Sequence, residues 1–306
     1  MDWVKQLDEQ LAAYLPELKV VCGEPMSRHT SFRIGGPAKR MAFPDSGEQI
    51  VLLLNFAKAC GARPLVIGNG TNLLAPDTEL DRLVIDTSAG LNRLERGEEP
   101  NTILAEAGVS LARLADFACR QGLTGLEFAH GIPGSLGGAV TMDAGAYEGD
   151  MSMVVREVRC LTEEGERETV SGRDLDFSYR HSAFSDERRF ILGATLELKS
   201  GDSAAIKALM DDLWNRRRHK QPLDVPSAGS TFKRPKGYFA AALIDECKLK
   251  GVKMGGAQVS TKHAGFLINA GGATCDDVLR LAEFVRETVR RETGVELELE
   301  VRTLGV

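Results

Sequence analysis

Residues 226–235 read PSAGSTFKRP, with small hydroxyl side chains, a glycine and two cations held between prolines. Such a stretch is either a surface linker, its hydroxyls bonded to their own backbone, or a loop that grips an anion beside a reactive serine. The residue types alone leave both open. Two other stretches carry chemistry in their backbones. In VIGNGTNLLAPD (66–77) a strand runs into Gly68-Asn69-Gly70-Thr71-Asn72, which can turn several N–H groups toward one anion. The dinucleotide-binding fingerprint needs a third glycine and a following helix, whereas Leu73 and a further strand follow here. A P-loop needs Gly-Lys-Ser/Thr, which this stretch lacks; a plain Gly/Asn turn is the alternative. HGIPGSLGGAVTMDAGAY (130–147) holds five glycines, three alanines and a serine. That composition lets backbone approach something large and flat, or packs a glycine-rich helix tightly on a sheet. Two such loops in one chain point to a nucleotide cofactor, one loop on a pyrophosphate and the other along a bulky body, because amide donors on phosphate need no side chains between them.

Alternating elements must position these loops. The periodicity predicts strands at 39–44, 63–68, 80–87 and 102–108, a helix over 46–62 with Ser46 as N-cap and Gly61 at its end, and a helix after Ser110. Residues 88–101 read as a loop. Two strands flank the turn EEGE (163–166), and another covers 190–199. A helix from Asp202 stops before Pro222 and bridges to a last segment: helix near 238–248, strands within 257–270, helix 275–293 and strand 295–303. The mixed order predicts an α+β protein, with a larger unit to about residue 200 and a smaller one after it.

Composition narrows the classes. The 306 residues suit one large or two to three modest domains, and 43% hydrophobic with 27% charged residues is ordinary for a globular protein. A net charge of −6, from 38 basic and 44 acidic residues, argues against a nonspecific nucleic-acid binder. MDWVKQLDEQLAAYL at the N-terminus has an early acid and helical periodicity rather than a basic flank before an apolar core. No apolar run approaches the roughly 18 residues of a membrane span. Six scattered cysteines without a CxxC read as reduced thiols of a cytoplasmic protein, and five histidines without metal-ligand spacing give no metal site.

HTSFRIGGPA (29–38), VIGNGTNLLAPD, GLEFAHGIPGSLGGAVTMDAGAY, SYRHSAF (178–184), PSAGSTFKRP and LELEVRTLG (297–305) occur in the order seen in UDP-N-acetylenolpyruvoylglucosamine reductases, the MurB family. The resemblance runs from about residue 25 to the end, and the short connection after Ser230 resembles the family's shorter, second type. It implies a vanillyl-alcohol-oxidase (PCMH-type) fold. An N-terminal lead-in (1–24) would precede an FAD-binding domain (25–200) of two subdomains split near 88–101, with a C-terminal α+β substrate-binding domain at 201–306. It implies a flavoenzyme that uses NADPH to reduce UDP-N-acetylglucosamine enolpyruvate to UDP-N-acetylmuramate for peptidoglycan synthesis, acting as a monomer or weak homo-oligomer.

The resemblance also implies roles for residues. Arg180, Ser230 and Glu300 would be catalytic, with Ser230 as proton donor. FAD would lie on Arg33, Gly68, Asn69, Gly70, Thr71, Asn72 and Leu73, then on Gly131, Pro133, Gly134, Ser135, Gly137, Gly138, Ala139, Asp143, Gly145, Ala146, Tyr147 and Arg180. Substrate would meet Tyr179, Lys220, Gly229, Ser230, Lys233, Arg234, His263 and Glu300. Along VELELEVR (295–302) the odd positions 295–301 are apolar, and Glu296, Glu298 and Glu300 share the other face. Periodicity would call all three solvated, and only the resemblance singles out Glu300. The chain departs from the family at Thr71, where serine is usual, and at Asp143, where asparagine is usual. It also carries Arg234 and His263 where the longer type has asparagine and glutamine. The first glycine-rich loop has no histidine, which favours noncovalent FAD. A different flavin oxidoreductase on the same fold and a non-enzymatic nucleotide-binding protein are the competing readings; joint retention of Arg180, Ser230 and a terminal glutamate counts against the latter.

Overall fold

A computed structural model describes residues 3–186 and 188–305. The chain forms two compact units, each assembled from separated segments. The first takes the chain up to Cys22, then Lys39–Asn69 and Asp81–Asn215; the second takes Gly23–Ala38, Gly70–Leu80 and the chain from Arg216 onward.

In the first unit the helix Gly47–Cys60 starts where its sequence predicts. The Ser46 hydroxyl accepts the Gln49 amide, and Gly61 closes the helix with φ of +73°. Its buried face, Ile50, Leu53, Leu54 and Ala57, packs in one core with Leu7, Leu83 and Ile85. The associated sheet has the order Lys19–Pro25, Pro37–Phe43, Leu80–Asp86, Pro64–Ile67. Its last two strands are parallel, with Ile67 opposite Asp86. Both therefore end on the same side, and the Thr87 amide and hydroxyl each donate to the Ile67 carbonyl at 3.0 Å. This tie fixes the point at which Gly68 leaves its strand.

A five-stranded antiparallel sheet completes that unit, in the order Arg167–Ser171, Val155–Thr162, Arg189–Glu197, Thr102–Glu106, Leu94–Arg96. The last of these lies inside the stretch read as a loop: Leu94 faces Ala105 and Arg96 faces Ile103. Three residues, two of them charged, are too few to show an alternation. The helix Leu111–Arg120, capped by Ser110 as predicted, contributes Leu111, Leu114 and Ala118 to the core beneath this sheet. The glycine-rich stretch also holds an element, the helix Leu136–Thr141.

In the second unit three short antiparallel strands, Lys253–Met254, Ala257–Val259 and Leu267–Asn269, pack against the helix Cys275–Thr293. That helix begins at a reciprocal cap: Thr274 Oγ accepts the Asp277 amide, and the Asp277 carboxylate accepts the Thr274 amide. Asp77, the last residue of VIGNGTNLLAPD, accepts the Cys275 amide at 2.9 Å, so the end of that motif is a helix cap. Phe32, Ile34, Leu74, Phe232, Leu243, Leu281 and Val285 share the core. The predicted strand over 295–303 is shorter than its pattern. Residues 295–301 form no continuous strand and carry only a bridge between Phe232 and Leu299; the strand proper is Arg302–Thr303, parallel to Leu73–Leu74. The Lys233 amide still donates to Glu298, but Pro235 has no N–H to carry the ladder on.

Candidate active site

The first unit holds Gly68, Asn69, the 131–147 residues, Tyr179 and Arg180. Here the two glycine-rich loops meet. A Cβ on Gly68 would land on the Ser135 hydroxyl, so Gly68 is where one loop passes against the other. Ser135 bridges to Ser110 and caps the helix Leu136–Thr141; the Gly134 carbonyl accepts from Leu111, and the Gly137 amide donates to Ala107 at 2.8 Å. A Cβ on Gly137 would sit 3.0 Å from that of Ala107, which makes this glycine a packing requirement, whereas at Gly138 the nearest atom is the Ser135 hydroxyl oxygen at 3.6 Å. Ala139 is buried beneath. At the head of the stretch, His130 Nδ1 is buried without a hydrogen-bond partner among the described residues, an orphan that a bound polar group would satisfy. Sequence reading passed over His130 although it opens the quoted motif.

After the helix the chain turns sharply. Asp143 is buried with φ of +44°, and its carboxylate accepts the Ser152 amide at 2.9 Å. Gly145 and Ala146 pair with Asp150 and Gly149, closing a two-residue hairpin whose tip, Tyr147 and Glu148, has φ of +52° and +69°. Burial raises the Asp143 pKa above the usual carboxylate value, opposed by the Ser152 and Met151 amides and by Arg180. Arg180 Nη1 donates to the Asp143 carbonyl at 3.4 Å. Arg180 sits with Tyr179 at the tip of a tight turn in which Ser178 and His181 exchange backbone bonds; it has φ of +59°, and its guanidinium lies 5.0 Å from the Tyr179 ring centre. A non-glycine residue there costs about 1–2 kcal/mol, so the surroundings must hold it. They do so through Ser182, fully buried, whose hydroxyl donates to Thr141 at 2.8 Å.

The second unit holds Arg33, residues 70–73, Lys220, the 229–234 loop, His263 and Glu300. Arg33 is exposed between buried Phe32 and Ile34, with φ of +55°. Gly70 has φ of +58°, and a Cβ there would strike the His29 carbonyl oxygen; the Gly70 carbonyl accepts from Ser31, whose hydroxyl lies 3.4 Å from the Thr71 carbonyl. The Asn72 side-chain Nδ2 donates to the Glu300 carbonyl at 3.0 Å, and Leu73 pairs with Arg302.

Glu300 also donates its N–H to Thr231 at 2.8 Å. Its backbone is thus fastened on one side by Asn72 and on the other beside Ser230. Glu300 is half-buried, while the Glu296 and Glu298 side chains are 78% and 75% exposed. That difference separates three residues that alternation could not. Ser230 is half-buried between Gly229, with φ of +75°, and buried Thr231. Lys233 pairs with Glu298 at 3.1 Å, and the Arg234 guanidinium lies 4.0 Å from the Phe239 ring centre. Lys220 is exposed at the end of the helix Ser203–Lys220. His263 is half-buried against Phe266, and burial, then the Lys250 and Lys220 charges, hold its pKa below the usual imidazole value.

A two-sheet unit with paired glycine-rich loops, joined in sequence to a smaller α+β unit, is the architecture of the vanillyl-alcohol-oxidase (PCMH-type) fold. Residues 38–171 match the FAD binding domain family. Residues 221–304 match the UDP-N-acetylenolpyruvoylglucosamine reductase C-terminal domain. The reductase of Pediococcus pentosaceus is 45% identical over 98% of this chain and 99% of its own, and that of Geobacillus kaustophilus 43% identical over 100% and 99%. The crystal structure of UDP-N-acetylenolpyruvylglucosamine reductase (MurB) from Thermus caldophilus superposes with a TM-score of 0.79 at 31% identity, covering 94% of this chain and 98% of that one. A BBE-like protein of Physcomitrella patens, at TM-score 0.51 and 18% identity over 64% of this chain and 44% of its own, shares the fold alone. The chain belongs to the UDP-N-acetylenolpyruvoylglucosamine reductase family.

Proposed function

We propose that this chain reduces UDP-N-acetylglucosamine enolpyruvate to UDP-N-acetylmuramate in peptidoglycan synthesis, with noncovalent FAD and NADPH as reductant. What carries the reading is the fastening of Glu300 between Asn72 and Thr231, beside Ser230. Bound FAD would supply the hydride chemistry by which one carbon of the enolpyruvyl double bond is reduced at the expense of NADPH. Arg33, residues 68–73 and the 131–147 stretch would hold it, and the orphaned His130 Nδ1 and the backbone-walled glycines fit that task.

The second alkene carbon lies next to a carboxylate, gains enolate character and needs a proton. Ser230 gives its hydroxyl proton to that carbon. Arg180 pairs with the carboxylate and offsets the charge that develops on it. Glu300 orients the enolic species, Tyr179 and Gly229 line the substrate, and Lys220, Lys233 and Arg234 take the diphosphate.

The test is anaerobic. NADPH should bleach the flavin of both the wild type and Ser230→Ala, because that hydride transfer needs no proton from Ser230. Reoxidation by the enolpyruvyl sugar should slow by ~10² or more in Ser230→Ala, and less in Ser230→Cys, which is still protic. Reoxidation of Ser230→Ala at the wild-type rate would make Ser230 a turn residue.

A further inference from the structure

The loop that carries Ser230 is held by a chain of hydrogen bonds that ends on an imidazole. Thr231 donates its N–H to the Gly265 carbonyl at 2.8 Å, and its hydroxyl accepts the Leu267 amide at 3.0 Å. Gly265 donates its own N–H to Nδ1 of His263 at 3.2 Å. The turn beneath the ring is closed: Phe266 donates to the His263 carbonyl at 3.0 Å, and the His263 and Lys262 amides donate to Ser260 Oγ at 3.3 and 3.2 Å. A Cβ at position 265 would lie 3.1 Å from His263 Cε1, so glycine is what lets ring and amide meet. Because Nδ1 accepts here, the ring proton is on Nε2 and the ring is neutral.

We infer that His263 is a positioning residue for the Ser230 loop: its Nδ1 lone pair fixes Gly265, whose carbonyl fixes the Thr231 amide next to Ser230. The inference rests on the proposed role of Ser230 and adds a group that sets its geometry without touching the transferred proton. A direct substrate contact, the role the sequence suggests, would use the opposite nitrogen. The cations facing the ring are Lys250, which follows the helix Ala240–Glu246, and Lys220, at the end of Ser203–Lys220; the adjacent Lys262 donates to the Arg218 carbonyl instead. Burial, then these charges, favour the neutral ring, against a hydrogen bond to the residue's own backbone that favours the charged one; the net direction is down. It keeps its acceptor until the pH falls below the usual imidazole value, where a protonated Nδ1 faces an N–H donor and the bond is lost.

Two amides separate the roles, since an asparagine oxygen occupies the place of Nδ1 and the end of a glutamine that of Nε2. The experiment uses full-length, FAD-loaded protein, reduced anaerobically with NADPH and reoxidised with the enolpyruvyl sugar across pH. His263→Ala and His263→Gln should slow reoxidation roughly 10-fold or more, the scale of a misplaced reacting group, with little change in KM and none in NADPH reduction. His263→Asn should restore most of the rate. Reoxidation by the wild type, which needs no variant to fold, should fall on the acid side of the imidazole range, and His263→Asn should lack that limb. A fast His263→Gln beside a slow His263→Asn with raised KM would overturn the inference in favour of a substrate contact. Wild-type rates in His263→Ala, or the same acid limb in His263→Asn, would overturn it as well. A wild-type flavin that the sugar fails to reoxidise overturns the proposed function itself, and this inference with it.

Discussion

Glu296, Glu298 and Glu300 alternate along one chain, yet among them the last is half-buried and the other two are exposed. Glu296 lies 3.8 Å from Arg290 and Glu298 3.1 Å from Lys233, both pairs near the surface, where screening leaves little net stabilisation. Glu296→Gln and Glu298→Gln should leave folding and flavin reoxidation close to wild type. Glu300→Gln should slow reoxidation by ~10-fold or more with FAD content unchanged, because an amide matches neither the charge nor the proton exchange of a carboxyl. Equal single-turnover rates for the three would return Glu300 to the solvated face. Asp143 gives a second test at this scale. Its folded pKa is raised, chiefly by burial, so the folded state favours the protonated carboxyl. That contribution is complete below the unfolded carboxylate value and is lost as pH rises through the folded one. At neutral pH the ionised carboxylate is a net cost, and Asp143→Asn, which still offers an oxygen to Ser152, should raise the melting temperature there. The gain should shrink toward about pH 4; a gain independent of pH would assign it to something other than ionisation.

Among the elements, some helix ends were legible from their caps. Ser46, Gly61 and Ser110 mark their helix ends in the sequence, and the structure places them there. The helix Leu136–Thr141 was one of two readings of its stretch, because glycine obscures helical propensity and the sequence also admitted a cofactor-facing loop. The family motifs stood out as strings, but their reasons are local and structural: Ser182 holds the Arg180 turn through Thr141, and Asp77 caps a helix nearly two hundred residues later. No spacing rule announces such bonds. Two residues with left-handed backbone show the difference between a required and a tolerated conformation. Gly70→Val would combine an unfavourable φ with a clash against the His29 carbonyl, and should lower both flavin content and stability, the latter by about 2 kcal/mol or more. Glu148, at the second tip position of the 145–150 hairpin, should instead gain about 1 kcal/mol on replacement by glycine, with flavin content unchanged. Denaturant unfolding with flavin absorbance reads both; a fully loaded, wild-type-stable Gly70→Val would refute the first.

For the whole molecule, sequence order and spatial order part company. The second unit's core is not contained in the segment from Arg216 onward, since Phe32, Ile34 and Leu74 come from upstream. Each such buried side chain contributes about 1.5–3 kcal/mol, comparable in sum to the roughly 5–15 kcal/mol stability of a domain. Residues 216–306 made alone should therefore show no cooperative thermal transition, and a sharp one by calorimetry would contradict this. The same interleaving sets a timetable for synthesis. Asn72 waits for Glu300, 228 residues away, and at roughly 5–20 residues per second it leaves the ribosome on the order of ten seconds or more before its partner exists. Until then Phe32, Ile34 and Leu74 have no completed core to enter, so the nascent chain carries apolar surface that a chaperone can hold. The second unit's core closes only once the chain has been made past Glu300, and a chain cut before that residue would lack the partner of Asn72 in the first glycine-rich loop.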